Sequence, residues 1–262
     1  MRHTLIATAL LLLAPLAQAE SIPLQEGLTL TSSASGPQGQ SSRTITVTDI
    51  TPRLVKLRIA GQNADGTALS GQRNVRVQDL QSARSIRPTI ADGKTELFEN
   101  STAIGTSAAV LAELKQGGST LSLDVGGLSM KGGISGAGVT HALDGMLEGM
   151  GGFAGISEAL EAAGASGVID AKDLAQGQDT MGAIDKLQAV EGRLQSKGRS
   201  TVSVLVNGVK TALPGIVAKG RLGNAYDAEL VFLDDPANPL LLKSRIGDET
   251  SQLTRIDYPV AK

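Results

Sequence analysis

Asn207-Gly208 is the most constraining dipeptide in this chain. Before it, Val202, Val204 and Val206 alternate with other residues from Thr201 onward; after it, Val209 to Leu213 forms a second extended run. Asn and Gly both tolerate the left-handed backbone of a two-residue hairpin, so the pair predicts a turn between two antiparallel strands. The pattern then repeats. Ile216 to Leu222, a Gly223-Asn224 turn and Tyr226 to Leu233 predict a second hairpin. Asp234-Asp235-Pro236-Ala237-Asn238-Pro239 predicts a turn, because its prolines forbid a helix and remove two backbone donors. Leu240 to Ile246, a Gly247-Asp248 turn and Gln252 to Tyr258 complete the set. Short strands at a spacing of about ten residues point to a barrel or a sandwich.

An earlier zone has the same texture. Thr44 to Ile50 alternates, with Ile45 and Val47 on one face and Asp49 at its end; Thr51-Pro52 turns the chain. Leu54 to Ile59 forms a second strand, Gln62 to Gly66 a turn, and Asn74 to Asp79 alternates again through Val75 and Val77. These features predict an antiparallel meander with one wet face. One helix is expected, with Thr106 or Ser107 capping Ala108 to Lys115 and Gly117-Gly118 ending it.

Between the two zones the texture changes. Residues 117–167 hold 15 of the 32 glycines. Repeated Gly-x-x-x-Gly spacing, as at Gly145 and Gly149, suits close helix packing in a membrane. Here Lys131, His141, Asp144 and Glu148 interrupt it, so the reading is an insertion with short helices. Leu143, Met146, Leu147 and Met150 recur at helical spacing within it. The fold expected is mainly β, of α+β type. It is an antiparallel barrel or sandwich built from two strand-rich zones, 20–125 and 181–262, around a glycine-rich insertion at 126–180.

Residues 1–19 read as an address. Met1-Arg2-His3 is followed by an apolar run centred on Leu10 to Leu13, then Ala17-Gln18-Ala19. This is the pattern of a cleavable export signal, with scission expected after Ala19. The run is short for a membrane span, and no later segment has about 18 uninterrupted apolar residues. Losing Arg2 with the leader leaves 23 basic against 26 acidic side chains, a net charge of −3. A mildly acidic exported chain is a poor fit to nucleic acid or anionic lipid.

The chemistry available is narrow. There is no cysteine, which excludes disulfides, thiolate catalysis and cysteine metal sites. Of the two histidines, only His141 follows the leader, so multi-histidine zinc sites are excluded. No G-x-S-x-G elbow occurs: Gly127-Leu128-Ser129-Met130 is followed by Lys131. Gly93-Lys94-Thr95 resembles the end of a P-loop, but Pro88 stands at the first glycine position. Gly149 to Ala154 meets a relaxed G-x-G-x-x-A pattern without a clear preceding strand. Aromatic residues are 2% of the chain, which argues against stacking platforms for bases or sugars. No cofactor motif remains. Asp234 and Asp235 are the most conspicuous acidic pair, and Asp234, Asp235 and Asn238 are the candidate binding residues. Adjacent residues on an extended chain point to opposite sides, so a catalytic dyad is disfavoured. Calcium binding by Asp234, Asp235 and Asp248 would need their loops to converge.

Val204 to Val209, Leu213-Pro214-Gly215-Ile216, Glu229 to Leu240 and Arg255 to Pro259 together resemble the N-terminal β-domain of OmpA-family envelope proteins of Gram-negative bacteria. The stretch Phe232-Leu233-Asp234-Asp235-Pro236-Ala237-Asn238-Pro239-Leu240 carries most of the likeness. In that family a peptidoglycan-binding module would follow, and no counterpart of it lies in this sequence, so none of its binding residues carry over. The resemblance implies a periplasmic or outer-membrane-associated protein with a binding or structural role and an envelope protein or cell-wall component as partner. The alternatives are a carboxylate-dependent hydrolase and a β-barrel binder of a small apolar ligand.

Overall fold

The computed structural model describes residues 21–90, 92–124, 189–223 and 226–260. The protein is mainly β. β1 (Thr29–Gly36), β2 (Gly39–Ile50), β3 (Leu54–Gln62) and β4 (Ala68–Arg76) form the expected antiparallel meander. Alternation sets its faces: Val55, Leu57 and Ile59 are buried, while Lys56 and Arg58 are exposed. Sequence pattern does not single out β1, whose TLTSSASG sequence buries only Leu30.

Two details of this region differ from the sequence reading. A bulge at Thr48 shifts the β2–β3 register. Asp49 therefore leaves the Ile45–Val47 face and pairs with Lys56 at 2.9 Å on the outer side. An extra residue in one strand flips the side-chain alternation beyond it. The second difference is at Val77. β4 stops at Arg76, and a short helix, α1 (Val77–Ser82), follows where a strand was expected. Val77 and Leu80 both pack against the main core. Spacing of three puts them on one helix face, whereas a strand would point them apart.

β5 (Ser85–Ile86), β6 (Thr95–Leu97) and β7 (Ser101–Thr102) are short. Arg73, only 2% exposed, ties this stretch to the meander. It pairs with Glu96 at 2.6 Å and donates to the carbonyls of Arg87 and Thr89. The Phe98 ring lies 4.5 Å from the guanidinium carbons of both Arg73 and Arg87. An ion pair and two carbonyl acceptors at its terminal nitrogens offset much of the cost of burying this charge.

α2 (Ala108–Lys115) matches expectation: the Ser107 side chain accepts from the Val110 amide, and Val110, Leu111 and Leu114 are buried. β8 (Gly118–Asp124) follows. Glu113 accepts hydrogen bonds from both Arg84 and Ser119, locking α2 to β8 and to the start of β5. Those bonds, Arg84's first, hold the Glu113 carboxyl down to about 2 from its ordinary 4.5. A folded value below the unfolded one contributes stability above about pH 4.5, and this is lost as pH falls toward 2. Glu113→Gln should therefore flatten the acid limb of a stability–pH curve. The loss at pH 7 should be on the order of 1 kcal/mol or less, because the pair is partly solvent-screened. Urea titrations at pH 7 and pH 3 check this, and an unchanged acid slope would refute it.

The C-terminal zone holds β9 (Ala189–Val206), β10 (Val209–Leu222), β11 (Tyr226–Leu233), β12 (Leu241–Ile246) and β13 (Glu249–Asp257). Asn207 and Gly208 have φ of 47° and 83°, the left-handed pair that the hairpin requires. Pro214-Gly215 does not split β10; the Pro214 carbonyl still accepts from the Asp234 amide.

The described strands form one sheet in the order β6-β4-β3-β2-β1-β13-β12-β11-β10-β9-β8-β5-β7. The tip of β9 returns to pair with β13 at Leu205–Arg255 and Val206–Ile256, closing β9 to β13 into a ring. β8 and β9 pair antiparallel with Asp124 opposite Ala189, and residues 125–188 between them lie outside the described residues. The expected insertion helices, His141 and the export signal all lie outside the described residues.

Two cores result. The larger joins Leu30, Val47, Leu57, Val204, Val217, Val231 and Ile256, among others. The second places α2 against Ile216, Ala218, Leu230 and Phe232. Alternate residues of β10 and β11 thus feed opposite cores, which explains why β11 is buried without a break from Leu230 to Leu233.

Candidate functional site

The three candidate binding residues are engaged within the protein. Asp234 faces Lys115 of α2 and Arg199 of β9, the latter at 3.1 Å. Asp235 turns the other way: it accepts from the Ala237 amide at 2.9 Å and from the Ser21 hydroxyl at 2.7 Å. Asn238, 4% exposed, donates its amide to the Ile22 carbonyl at 3.0 Å. The turn therefore brings Asp235 and Asn238 together on residues 21–22 and sends Asp234 elsewhere. Among the described residues, no cluster of three or more His, Asp or Glu side chains converges as a metal site, so Asp248 does not join Asp234 and Asp235.

Ser101 to Ser107 docks against this turn. Gly105 bridges to Leu240, the Thr106 amide donates to the Pro239 carbonyl, and Leu241 donates to Ile104. A small crevice opens between them, lined by Leu24, Leu80, Thr102, Thr106, Asn238 and Pro239. The Thr106 hydroxyl is buried there without a hydrogen-bond partner among the described residues. Asp79 of α1, 4% exposed, is the buried carboxylate nearest in sequence to this crevice. Burial raises its pKa, opposed by Arg76 and by the amides of Ser101 and Asn100. The crevice is too small to admit a polymer or a lipid chain.

A larger feature emerges from strand register. Directly opposed residues share one face of a sheet. Gln195, Lys219, Glu229, Arg245, Thr250, Ser35 and Gln40 are opposed in succession across β9, β10, β11, β12, β13, β1 and β2. At strand spacing this row runs about 29 Å. Contacts confirm the shared face: Lys219–Glu229 at 2.7 Å, Arg245–Glu229 at 3.5 Å and Ser35–Thr250 at 3.0 Å. A parallel row holds Lys243, Gln252, Ser33 and Ser42. Beyond the first row, Arg193 stands directly opposite Arg221. On this surface Arg193, Lys219, Arg221, Lys243 and Arg245 outnumber Glu191, Asp227 and Glu229, although the whole chain has a net charge of −2. Glu229 is held below the usual carboxylate range, mainly by Lys219, with Arg245 and Lys243 adding to it.

Sequence reasoning did not find this surface. Its trace was present in Lys219-x-Arg221, Asp227-x-Glu229 and Lys243-x-Arg245, charged residues repeating at strand period. Only the register shows that these pairs stand side by side.

No protein-family model matches the chain, and no curated protein matches it either. Among solved structures, the chain is similar to a Bacteroides fragilis protein of YmcC-like fold. That likeness is at 12% identity over 92% of this chain and 100% of that one, with a TM-score of 0.34. A TM-score this low carries no argument about fold or function.

Proposed function

We propose that this is an exported, non-enzymatic binding protein of the cell envelope, whose ligand is an anionic, hydroxyl-rich polymer lying along the polar rows of the sheet. The observation that carries this reading is the cross-strand row itself. It is extended, exposed and polar, with cations spaced among hydroxyls and amides. Such a row offers ion pairs to carboxylates and hydrogen bonds to sugar hydroxyls without the stacking that this aromatic-poor chain lacks. The export signal and the resemblance to envelope domains support the location. No helix among the described residues is long and apolar enough to cross a membrane.

The test uses a soluble polyuronate as the anionic probe and dextran as its neutral counterpart. The protein should bind polyuronate at low salt, lose it as salt rises, and ignore dextran. Arg193→Glu with Lys243→Glu should weaken polyuronate binding by about tenfold or more while leaving the melting temperature nearly unchanged. Equal binding to both polymers, or equal binding by the variant, would overturn the assignment.

A further inference from the structure

The basic end of the polar face carries a rung unlike its neighbours. Arg193 of β9 stands directly opposite Arg221 of β10; Thr120 of β8 flanks Arg193, and Asp227 of β11 flanks Arg221. All four are exposed. Elsewhere on this face cations meet a carboxylate, as Lys219 and Arg245 meet Glu229. Arg193 has no ion pair among the described residues, and the side chain next to it is a hydroxyl. Asp227 is 3.7 Å from the Arg221 Nε with its own side chain 92% exposed, so that pairing is long and wet.

Like charges directly opposed on two strands oppose folding, yet the backbone is drawn tight at this rung. Gly192 precedes Arg193, and a Cβ there would lie 2.3 Å from the Arg221 carbonyl oxygen. Gly220 precedes Arg221, and a Cβ there would lie 2.1 Å from the Arg193 carbonyl oxygen. Each glycine omits the side chain that would push the opposite arginine away. Neighbouring strands are about 4.8 Å apart, less than the length of an arginine side chain, so both guanidiniums can reach one point above the rung. An open depression lies there, lined by Thr120, Arg193, Arg221, Glu191, Gly192 and Gly223.

The charge at this point selects among anions. A carboxylate has a single charge and is satisfied by one arginine fork. A phosphomonoester brings a charge of about −1.5 to −2 and three acceptor oxygens. It can accept a fork from each arginine and the Thr120 hydroxyl proton, and it relieves the repulsion between the two guanidiniums. Glu191, opposite Ser122 on the next rung, repels a second anionic group on that side.

We propose that Arg193, Arg221 and Thr120 form a subsite for a phosphoryl group carried by the sugar polymer that lies along the polar rows. This deepens the polymer-binding reading and rests on it, adding the chemistry of one anionic group at one end of the face.

The test compares phosphorylated dextran with polyuronate of matched length and charge density, at one salt concentration. Wild-type protein should prefer phosphorylated dextran by about tenfold. Arg193→Lys with Arg221→Lys keeps the charge and removes both forks, so the ratio of the two affinities should fall to near one. Thr120→Val should lower the ratio by a smaller factor, and circular dichroism checks that each variant is folded. No preference in the wild type, or a preference that survives the double lysine variant, overturns the subsite; polyuronate binding in that case leaves the polymer reading standing. Binding of phosphorylated dextran with none of polyuronate keeps the subsite and overturns the reading of the long row. Vesicles of phosphatidylcholine with phosphatidic acid are the third arm: tighter binding to them than to phosphorylated dextran would put the phosphoryl group on a lipid and overturn the polymer as its carrier.

Discussion

Replacing Phe232 with alanine should destabilise the protein by about 3–5 kcal/mol, the range for emptying a fully buried aromatic site. Phe232 is 0% exposed, opposite Ile216 on one side and Leu241 on the other. Its ring belongs to the second core with Val110, Leu111 and Leu114 of α2. Its neighbours Val231 and Leu233 belong to the first core. Removing the ring therefore loosens the α2 side of β11 without directly emptying the other side. Against a typical total of about 5–15 kcal/mol, this is a large share. Urea denaturation of Phe232→Ala and Phe232→Leu measures it, with leucine recovering most of the loss. A cost below about 1 kcal/mol for the alanine variant would mean that the second core is not packed as described.

Gly105→Ala is expected to have the other large effect, and a more local one. A Cβ at Gly105 would lie 2.1 Å from the Pro239 carbonyl oxygen and 2.7 Å from the Leu240 Cα. Both obstacles are backbone, so no side-chain rotation relieves the clash, and the Ser101–Ser107 segment must separate from the turn. Overpacking of this kind costs roughly 1–3 kcal/mol and occasionally more. Separation strains the bridge to Leu240 and the Thr106–Pro239 hydrogen bond. It should also loosen Asn238, and with it the hold on Ile22. Hydrogen exchange should therefore rise at Leu240, Leu241 and Thr106 and at the segment beginning with Ile22, with less change in the β1–β4 meander. Wild-type protection at Leu240 and Thr106 would refute the tight approach at Gly105.

The strands were legible where hydrophobic alternation met turn chemistry. β3, the β9–β10 hairpin, β11 and α2 each carry a local signal strong enough to survive tertiary packing: alternating Val, Leu and Ile, an Asn-Gly pair, or a capping serine before an apolar helix face. The misread places are those where a third partner intervened. Val77 continues the alternation of Val75, but pairing Val77 with Leu80 against the core favours a turn of helix. Asp49 continues the pattern of Ile45 and Val47, but the bulge turns it toward Lys56. β1 was illegible because serine and threonine carry no clear inside–outside code; its place comes from β13 on one edge and β2 on the other.

The candidate site divides in the same way. Proline and aspartate spacing marks Asp234 to Pro239 as a rigid turn, and the turn is present. That it grips Ser21 and Ile22 is a contact across more than two hundred residues, which no local pattern encodes. The polar rows make the point from the other side. Composition describes a mildly acidic chain, and pairing separates its charges: register places Lys219, Arg245 and their neighbours on one face.

By itself, then, the amino-acid sequence determined the class of fold, the hairpin positions and the poverty of nucleophiles and metal ligands. These follow from backbone propensity, residue period and side-chain chemistry, all of which act within a few neighbours. Tertiary structure alone decided the closure of β9 onto β13, the division of one strand between two cores, the polar face and the anchoring of the chain's start. Each of those depends on strand register and on contacts between distant segments, and register is set by the summed burial of a whole sheet face, not by any one residue.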